Sequence, residues 1–487
     1  MSGEFALIAL LATPLAHALC VLVFARPPGL RDFVNIGFAF AAAVFAVLVF
    51  DATAHGQAAR IVLARPLPNV DLGFTNEPLG ALAAVVLTGL GFLHAVHAAG
   101  VVRASGEKAP ARLMAFIALA TAAALAVAFS ANLFSLFIAY QALILAAFPL
   151  VAHRGDDEAR AAGRTFLATL LASSIVLLLP AMIGVYALAG ALDFQPGGVL
   201  AGRVGVAGAN VLLALFVFGL AMAAMPPMHR WLTMTTRAPY PTLVVVQALA
   251  VLPIGGLALL KVLAYVFGPV LATARVSAIA LLALACVGMC VAALIALSRQ
   301  DLRERLAYSC MAQALAVVLG GLLALPAGLF AAMLQIVATS CAATTLMMAT
   351  GTVSVITGRT NVVDFAGLGR VMSWTFAGFA LASASMIGMP PFSGWWSRLW
   401  LITASASSGL TWAGALVGVA AVLTFAHLGP LAANAFAGRA PADAFKRPDG
   451  ASILLVAPVI LSAAATLSLL VLADPLARFL SPVWTPP

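Results

Sequence analysis

The sequence predicts an all-α polytopic membrane protein with about fourteen transmembrane helices, and three observations predict it. Of the 487 residues, 64% are hydrophobic and only 8% charged, whereas an average soluble domain carries roughly 25% charged residues. Apolar runs of about 20 residues, the length that crosses a bilayer as a helix, follow one another from Phe5 to Val483 with short polar breaks. Stretches such as ALAVAFSANLFSLFIAYQALILAAF lack the polar/apolar alternation of a barrel strand.

Hydropathy and breaker residues place the spans at about 4–25, 34–52, 77–101, 112–130, 132–153, 164–190, 209–235, 239–267, 277–298, 304–325, 327–357, 373–406, 410–436 and 451–473. The first run follows Glu4 and has no basic n-region, so it reads as a retained helix and not as a cleaved signal. Between the second and third spans, Thr53 to Glu77 is too polar to cross, and Val70-Asp71-Leu72-Gly73-Phe74 alternates, which predicts a small extended hairpin.

The cations test the count. Of 25 Lys and Arg residues, 18 fall by the loops after odd-numbered spans, among them Arg26, Arg103, Arg154, Arg299, Arg439, Lys446 and Arg447. Five fall on the opposite side, and Lys261 and Arg398 lie deeper within spans. The positive-inside rule then puts odd-to-even loops in the cytoplasm and both termini on the outer, periplasmic side of a bacterial-type inner membrane. The formal charge of +9 is thus a topology signal, with no support for a nucleic-acid partner.

Two patterns recur along the chain. Met225-Pro226-Pro227 precedes Trp231 as Met389-Pro390-Pro391 precedes Trp395, and Ser130 with Ala139-Tyr140 is matched by Ser298 with Ala307-Tyr308. The offsets, 164 and 168 residues, superpose spans 4–8 on spans 9–13. A shift of five spans is odd, so the two units sit in the membrane upside down to one another, an architecture of secondary transporters. This divides the chain into 1–111 (spans 1–3), 112–268 (first unit), 269–436 (second unit) and 437–487 (span 14 and tail). Proline removes a backbone donor and clashes with the preceding turn, so Pro226-Pro227 and Pro390-Pro391 should break spans 7 and 12 within the bilayer.

Catalytic and cofactor signals are missing from the sequence. Cys20, Cys286, Cys290, Cys310 and Cys341 all lie in apolar segments, and none forms a C-x-x-C pair. There is no glycine-rich phosphate loop or dinucleotide fingerprint. No catalytic residue, cofactor or metal is expected in this chain. Any redox chemistry belongs to another subunit.

PPMHRWL near 226–232, AP-Y-P at 238–241, D-L-R-x-x-L-A-Y-S from Asp301 to Ser309, GLGR at 367–370 and PPFSGWWSR at 390–398 together resemble a family of antiporter-like membrane subunits. It is shared by respiratory complex I (NADH-quinone oxidoreductase subunits L, M and N), Mrp-type cation/proton antiporters and membrane-bound hydrogenases. The resemblance covers about 75 to 400 in matching order. It implies fourteen helices, two inverted five-helix units, other membrane subunits as partners, and a midplane proton relay of one glutamate and several lysines.

The chain departs from that relay. The family glutamate of span 5 falls on Gln141 and the span 7 lysine on Met222. In span 8 the lysine falls near Pro253 and its neighbouring histidine on Gln247. In span 11 a histidine and a lysine fall on Thr339 and Ala343. Only span 12 keeps a charge, Arg398. Glutamine hydrogen-bonds but does not titrate, methionine does neither, and arginine holds its proton.

Ion-path candidates are therefore Arg398, His229, Gln141, Lys261, Gln247 and Thr339. Arg398 reads either as a coupling or inter-subunit charge or as a snorkelling structural cation. Lys261 reads better as a snorkelling anchor. His229 either titrates or caps. His94 and His97, at i and i+3, read as interfacial histidines. The polar residues of span 11 (Gln335, Thr339, Ser340, Thr344, Thr345) and Ser383 and Ser385 suit interhelical hydrogen bonding or a hydrated path. Asp156, Asp157 and Glu158 read as a solvated loop face.

Three functions fit: a proton- or cation-translocating subunit of a larger complex, a paralogue that has lost its own path and serves a structural or coupling role, or a stand-alone transporter.

Overall fold

The computed structural model describes residues 3–438 and 452–484. The sequence expectations for Arg439, Lys446 and Arg447 lie outside the described residues. Helices α1 (Gly3–Val23) and α2 (Pro28–Ala54) lead into a two-stranded antiparallel hairpin, β1 (Arg60–Leu67) and β2 (Val70–Thr75). The alternation of Val70 to Phe74 folds as the sequence predicts. Then come α3 (Pro78–Ser105), α4 (Pro110–Ala128), α5 (Leu133–Val151) and α6 (Asp157–Ala189). The last of these starts seven residues before its expected boundary because Asp156 caps it, accepting from the Ala159 amide at 2.7 Å. Asp157 and Glu158 therefore belong to a helical first turn, where they complement the helix dipole, and not to a loop.

The second half runs α7 (Val206–Gly219), α8 (Tyr240–Ala272), α9 (Arg275–Ser298), α10 (Leu302–Leu322), α11 (Pro326–Thr357), α12 (Ser373–Ile387), α13 (Ser393–Ser407), α14 (Thr411–Phe436), α15 (Ile453–Ala465) and α16 (Leu469–Leu480). Eleven of the described helices are long and apolar enough to cross a membrane, or twelve if α15 and α16, bent by 59° at Thr466–Ser468, form one span. The expected fourteen counted two further segments that prove to be interrupted. α7 stops at Gly219, well before Pro226-Pro227, and only the single turn Arg230–Met234 follows the prolines. α12 stops at Ile387, with Gly388 at φ +87° as its C-cap before Pro390-Pro391, and α13 starts at Ser393. Both Pro-Pro bonds are cis.

α8, α10 and α11 are almost wholly buried, and they form the centre of the molecule. The outer helices α1, α2, α9 and α14 turn large apolar side chains outward, among them Leu19, Phe33, Val276 and Val422. Hydrocarbon is the solvent that makes such exposure cheap. This is a multi-pass membrane protein.

The hairpin is tied to the start of α5. Asn132 caps that helix through the Ser135 amide at 2.8 Å and donates to the Asp71 carbonyl at 2.7 Å. Asp301 caps α10 through the Arg303 amide at 2.7 Å. Each cap residue also makes an isolated antiparallel bridge, Asn132 with Asp193 and Asp301 with Asn361.

Candidate functional site

Arg398 enters the interior on the second turn of α13, just past the α12 break. It is 6% exposed. The broken helix frees carbonyls that no downstream amide reaches, and Arg398 takes one of them: Nη2 donates to the Met386 carbonyl at 2.9 Å. The same nitrogen donates to Gln313 Oε1 at 3.2 Å, and Nη1 reaches the Val417 carbonyl at 3.5 Å. The sequence offered no carboxylate partner for Arg398, and a broken-helix carbonyl stands in that place. Gly388 is fixed by this arrangement, since a Cβ there would collide with Arg398 Cδ and Nε.

From Gln313 the contacts continue inward. Gln335 on α11 donates from Nε2 to Gln313 Oε1 at 2.9 Å and to Thr339 Oγ1 at 3.0 Å, and its Oε1 accepts from Ser397 at 2.8 Å. Thr339, Gln313 and Gln247 then share a cavity of about 20 Å3, room for roughly one water. On its far side Gln247 donates to Thr235 Oγ1 at 3.0 Å, while its Oε1 has no partner among the described residues. Gln247 lies in a π-helical turn, Val244–Leu249, a local widening that recurs at functional sites. The result is a buried chain, Arg398–Gln313–Gln335–Thr339–cavity–Gln247–Thr235, in which only the arginine carries charge.

The first broken segment is closed differently. Met222 is fully buried, and its backbone amide donates to Tyr140 Oη at 2.9 Å. The Ala221 carbonyl, which already accepts from the Ala224 amide at 3.0 Å, also accepts from the Trp231 indole at 2.9 Å. One residue from Tyr140, Gln141 donates from Nε2 to Ser174 at 3.0 Å and accepts from it at 3.1 Å, against the π-turn of α6. His229, past the prolines, is half-buried, and its Nδ1 has no partner among the described residues. Among the described residues, neither Gln141 nor His229 hydrogen-bonds to a member of the Arg398 chain.

Lys261 overturns the expectation of a snorkelling anchor. It is 0% exposed, its Nζ lies 3.4 Å from Glu77 Oε1, and it donates to the Ala128 and Ser130 carbonyls at 2.7 and 2.9 Å. A lysine snorkels when its stem leads to water, but this one points at the start of α3 and the end of α4, where Glu77 caps α3 and receives the Tyr265 hydroxyl at 2.6 Å. His94 and His97 are likewise not interfacial. They are 2% and 1% exposed, and His97 bonds Thr352 Oγ1 at 3.0 Å, because α11 and α8 cover that face of α3.

Gln313 was missed. Its signal was present, a lone amide within an apolar span, but position alone did not distinguish it from the other polar residues of the core.

A largely buried three-helix centre, two interrupted helices beside Pro-Pro pairs and a buried polar thread characterise this polytopic membrane protein. Residues 130–424 match the family described as NADH:quinone oxidoreductase/Mrp antiporter, TM, and the chain belongs to that family. It is 27% identical over 437 residues to NADH-quinone oxidoreductase subunit N of Desulforudis audaxviator, covering 88% of this chain and 86% of the relative. It is 28% identical over 353 residues to NAD(P)H-quinone oxidoreductase chain 5 of Picosynechococcus sp., covering 68% of this chain but only 51% of that relative. The fold is similar to a chain in the structure of the Mrp complex from Dietzia sp. DQ12-45-1b, with TM-score 0.86, 22% identity and coverage of 100% and 98%. A chain of the membrane-bound sulfane sulfur reductase, an archaeal respiratory membrane complex, gives TM-score 0.82, 22% identity and coverage of 98% and 96%.

Proposed function

We propose that this chain is an antiporter-like membrane subunit of a multisubunit proton- or cation-translocating complex, of the complex I, hydrogenase or Mrp kind, with most of the family's relay charges absent. The observation that carries the reading is the buried chain from Arg398 to Gln247, which lies inside the family-matched region and draws, apart from Gln313 on α10, on spans 8, 11 and 12 that the resemblance assigns to the relay. Purification from native membranes in mild detergent tests it. Several further membrane polypeptides should co-purify in fixed proportion, and a chain that elutes alone would favour a stand-alone transporter and overturn the proposal.

A second reading, a coupling or structural paralogue without its own proton path, is favoured by one observation: Gln141, Met222 and Gln247 occupy relay positions and none of them titrates. In that case Arg398 serves as a fixed field or as a contact to the neighbouring subunit.

The topology belongs to the same proposal. The arginine bias supports cytoplasmic odd-to-even loops, outer termini and a bacterial-type inner membrane. The recurring Pro-Pro motifs, and the bridged caps Asn132–Asp193 and Asp301–Asn361, support inverted units at 112–268 and 269–436, flanked by 1–111 and 437–487. In this arrangement the broken segments complete a fourteen-span count. Cysteine labelling of residues 299–305 from the outer face would refute the orientation.

A further inference from the structure

The three N-terminal helices hold a second buried polar site, away from the Arg398 chain. A cavity of about 40 Å3 lies among α1, α2, α3, α4 and α8, and its polar wall consists of His17, Asn35, Thr88, His94 and Thr121. At roughly 10–15 Å3 per water, it has room for about three or four. His94 is 2% exposed, and its Nε2 is buried with no partner among the described residues. Buried polar atoms in membrane interiors are satisfied by protein or by water. Opposite, His17 Nε2 bonds Asn35 Oδ1 at 3.2 Å, and Asn35 donates to the Ala95 carbonyl at 3.2 Å. The Thr88 and Thr121 hydroxyls spend their protons on the Ala84 and Ile117 carbonyls at 2.7 and 3.0 Å, which leaves their lone pairs as acceptors. The wall therefore offers acceptors that water can serve, flanked by two imidazoles.

The site lies toward the arginine-rich end of the bundle. His17 is six residues from the end of α1 and Asn35 seven from the start of α2, which is about 10 Å at 1.5 Å per residue. Other charged groups on the packed elements are engaged elsewhere. Arg31 and Arg103 both pair with Asp32, at 2.9 and 2.6 Å. His97 bonds Thr352, and Arg112 at the foot of α4 bonds the His153 carbonyl at 2.9 Å. α8 contributes only Val245 and Leu249 to the wall.

We propose that this cavity is an internal water site, and that its water makes His17 and His94 a single proton-exchanging unit facing the arginine-rich side. A proton accepted at one ring nitrogen forms an N–H bond. Passage to the other ring breaks that bond, forms and breaks water O–H bonds in turn, and regenerates the water. The unit needs no residue of the Arg398 chain and stands whether or not that chain conducts.

Histidine-selective 15N NMR of the full chain in membranes, with magnetisation transferred from water, tests the site directly. His94 should receive water magnetisation at least threefold faster than His97, which does not line the cavity. Gly91 lines the cavity, and a Cβ added there meets nothing within 4 Å, so Gly91→Val should fill the space and abolish the His94 transfer while leaving the His97 signal in place. Thr121→Val is the milder second variant, lowering the same transfer. His17→Gln should move the His94 titration midpoint, because the two rings share water. A dry His94 in the unmodified chain, transfer unchanged by Gly91→Val in a folded protein, or a His94 midpoint indifferent to His17→Gln would each overturn the proposal.

Discussion

Lys261 and Glu77, 184 residues apart in sequence, meet at 3.4 Å in the interior, where the lysine also takes the last carbonyl of α4. The pair ties α8 to the start of α3 and the end of α4, and it explains why a fully buried lysine is tolerated: its proton-bearing nitrogen has three oxygen partners.

Removing one member of that pair should be costly. Lys261→Met leaves Glu77 with its helix-cap and Tyr265 bonds but no counter-charge, and about 3–5 kcal/mol of stability should be lost. Glu77→Gln in the same background should recover part of it. A melting series in detergent checks this, and equal loss in single and double variants would refute the coupling. The sequence alone ranked Lys261 well below Arg398. With this burial the two belong in the same class.

Arg398→Ala strands the Met386 carbonyl and one lone pair of Gln313, each formerly bonded to a cation, and should cost about 2–3 kcal/mol. Arg398→Lys should rescue poorly, because a point donor cannot reach Met386, Gln313 and Val417 together. Gly388→Ala should reproduce the Arg398→Ala phenotype, since its methyl group would occupy the space of the Arg398 side chain. Complex yield after solubilisation is the measurement, and a wild-type yield for Gly388→Ala would show that Arg398 has freedom to move.

Gln141→Ala should leave the proton stoichiometry of the assembled complex unchanged, because a group that cannot titrate cannot be an obligatory carrier. It should lower stability by only about 1 kcal/mol through the lost Ser174 bonds. Loss of pumping in an intact complex would show that Gln141 orders conducting water.

His153, in the turn after α5, is held below the usual imidazole value by burial, against the opposing pull of its bond to the Lys108 carbonyl and of Glu107 3.7 Å away. A depressed histidine keeps its proton off in the folded state while the unfolded chain binds one, so stability is full above pH 6.5 and falls below it. His153→Gln should flatten that acid limb in a pH series of melting temperatures. An unchanged limb would place the sensitivity elsewhere.

The amino-acid sequence by itself determined the membrane class, the hairpin from Arg60 to Thr75 and the helix interruption before Pro390-Pro391, because each follows from local properties: transfer energy per segment, side-chain alternation, and the missing donor of proline. The early stop of α7 at Gly219, seven residues before Pro226, lies beyond that local reason. It also marked Arg398 as exceptional, since a cation in an apolar span stands out on composition alone. Tertiary structure decided who the cations' partners are. Whether Lys261 snorkels or pairs depends on whether Glu77 arrives beside it, and whether His94 faces lipid or a cavity depends on α8 and α11 covering α3. Gln313 became the link between Arg398 and Gln335 only when α10, α11 and α13 packed together. Span periodicity is blind to such pairings, because in an all-apolar bundle the face a helix buries is chosen by its neighbours and not by an amphipathic stripe of its own.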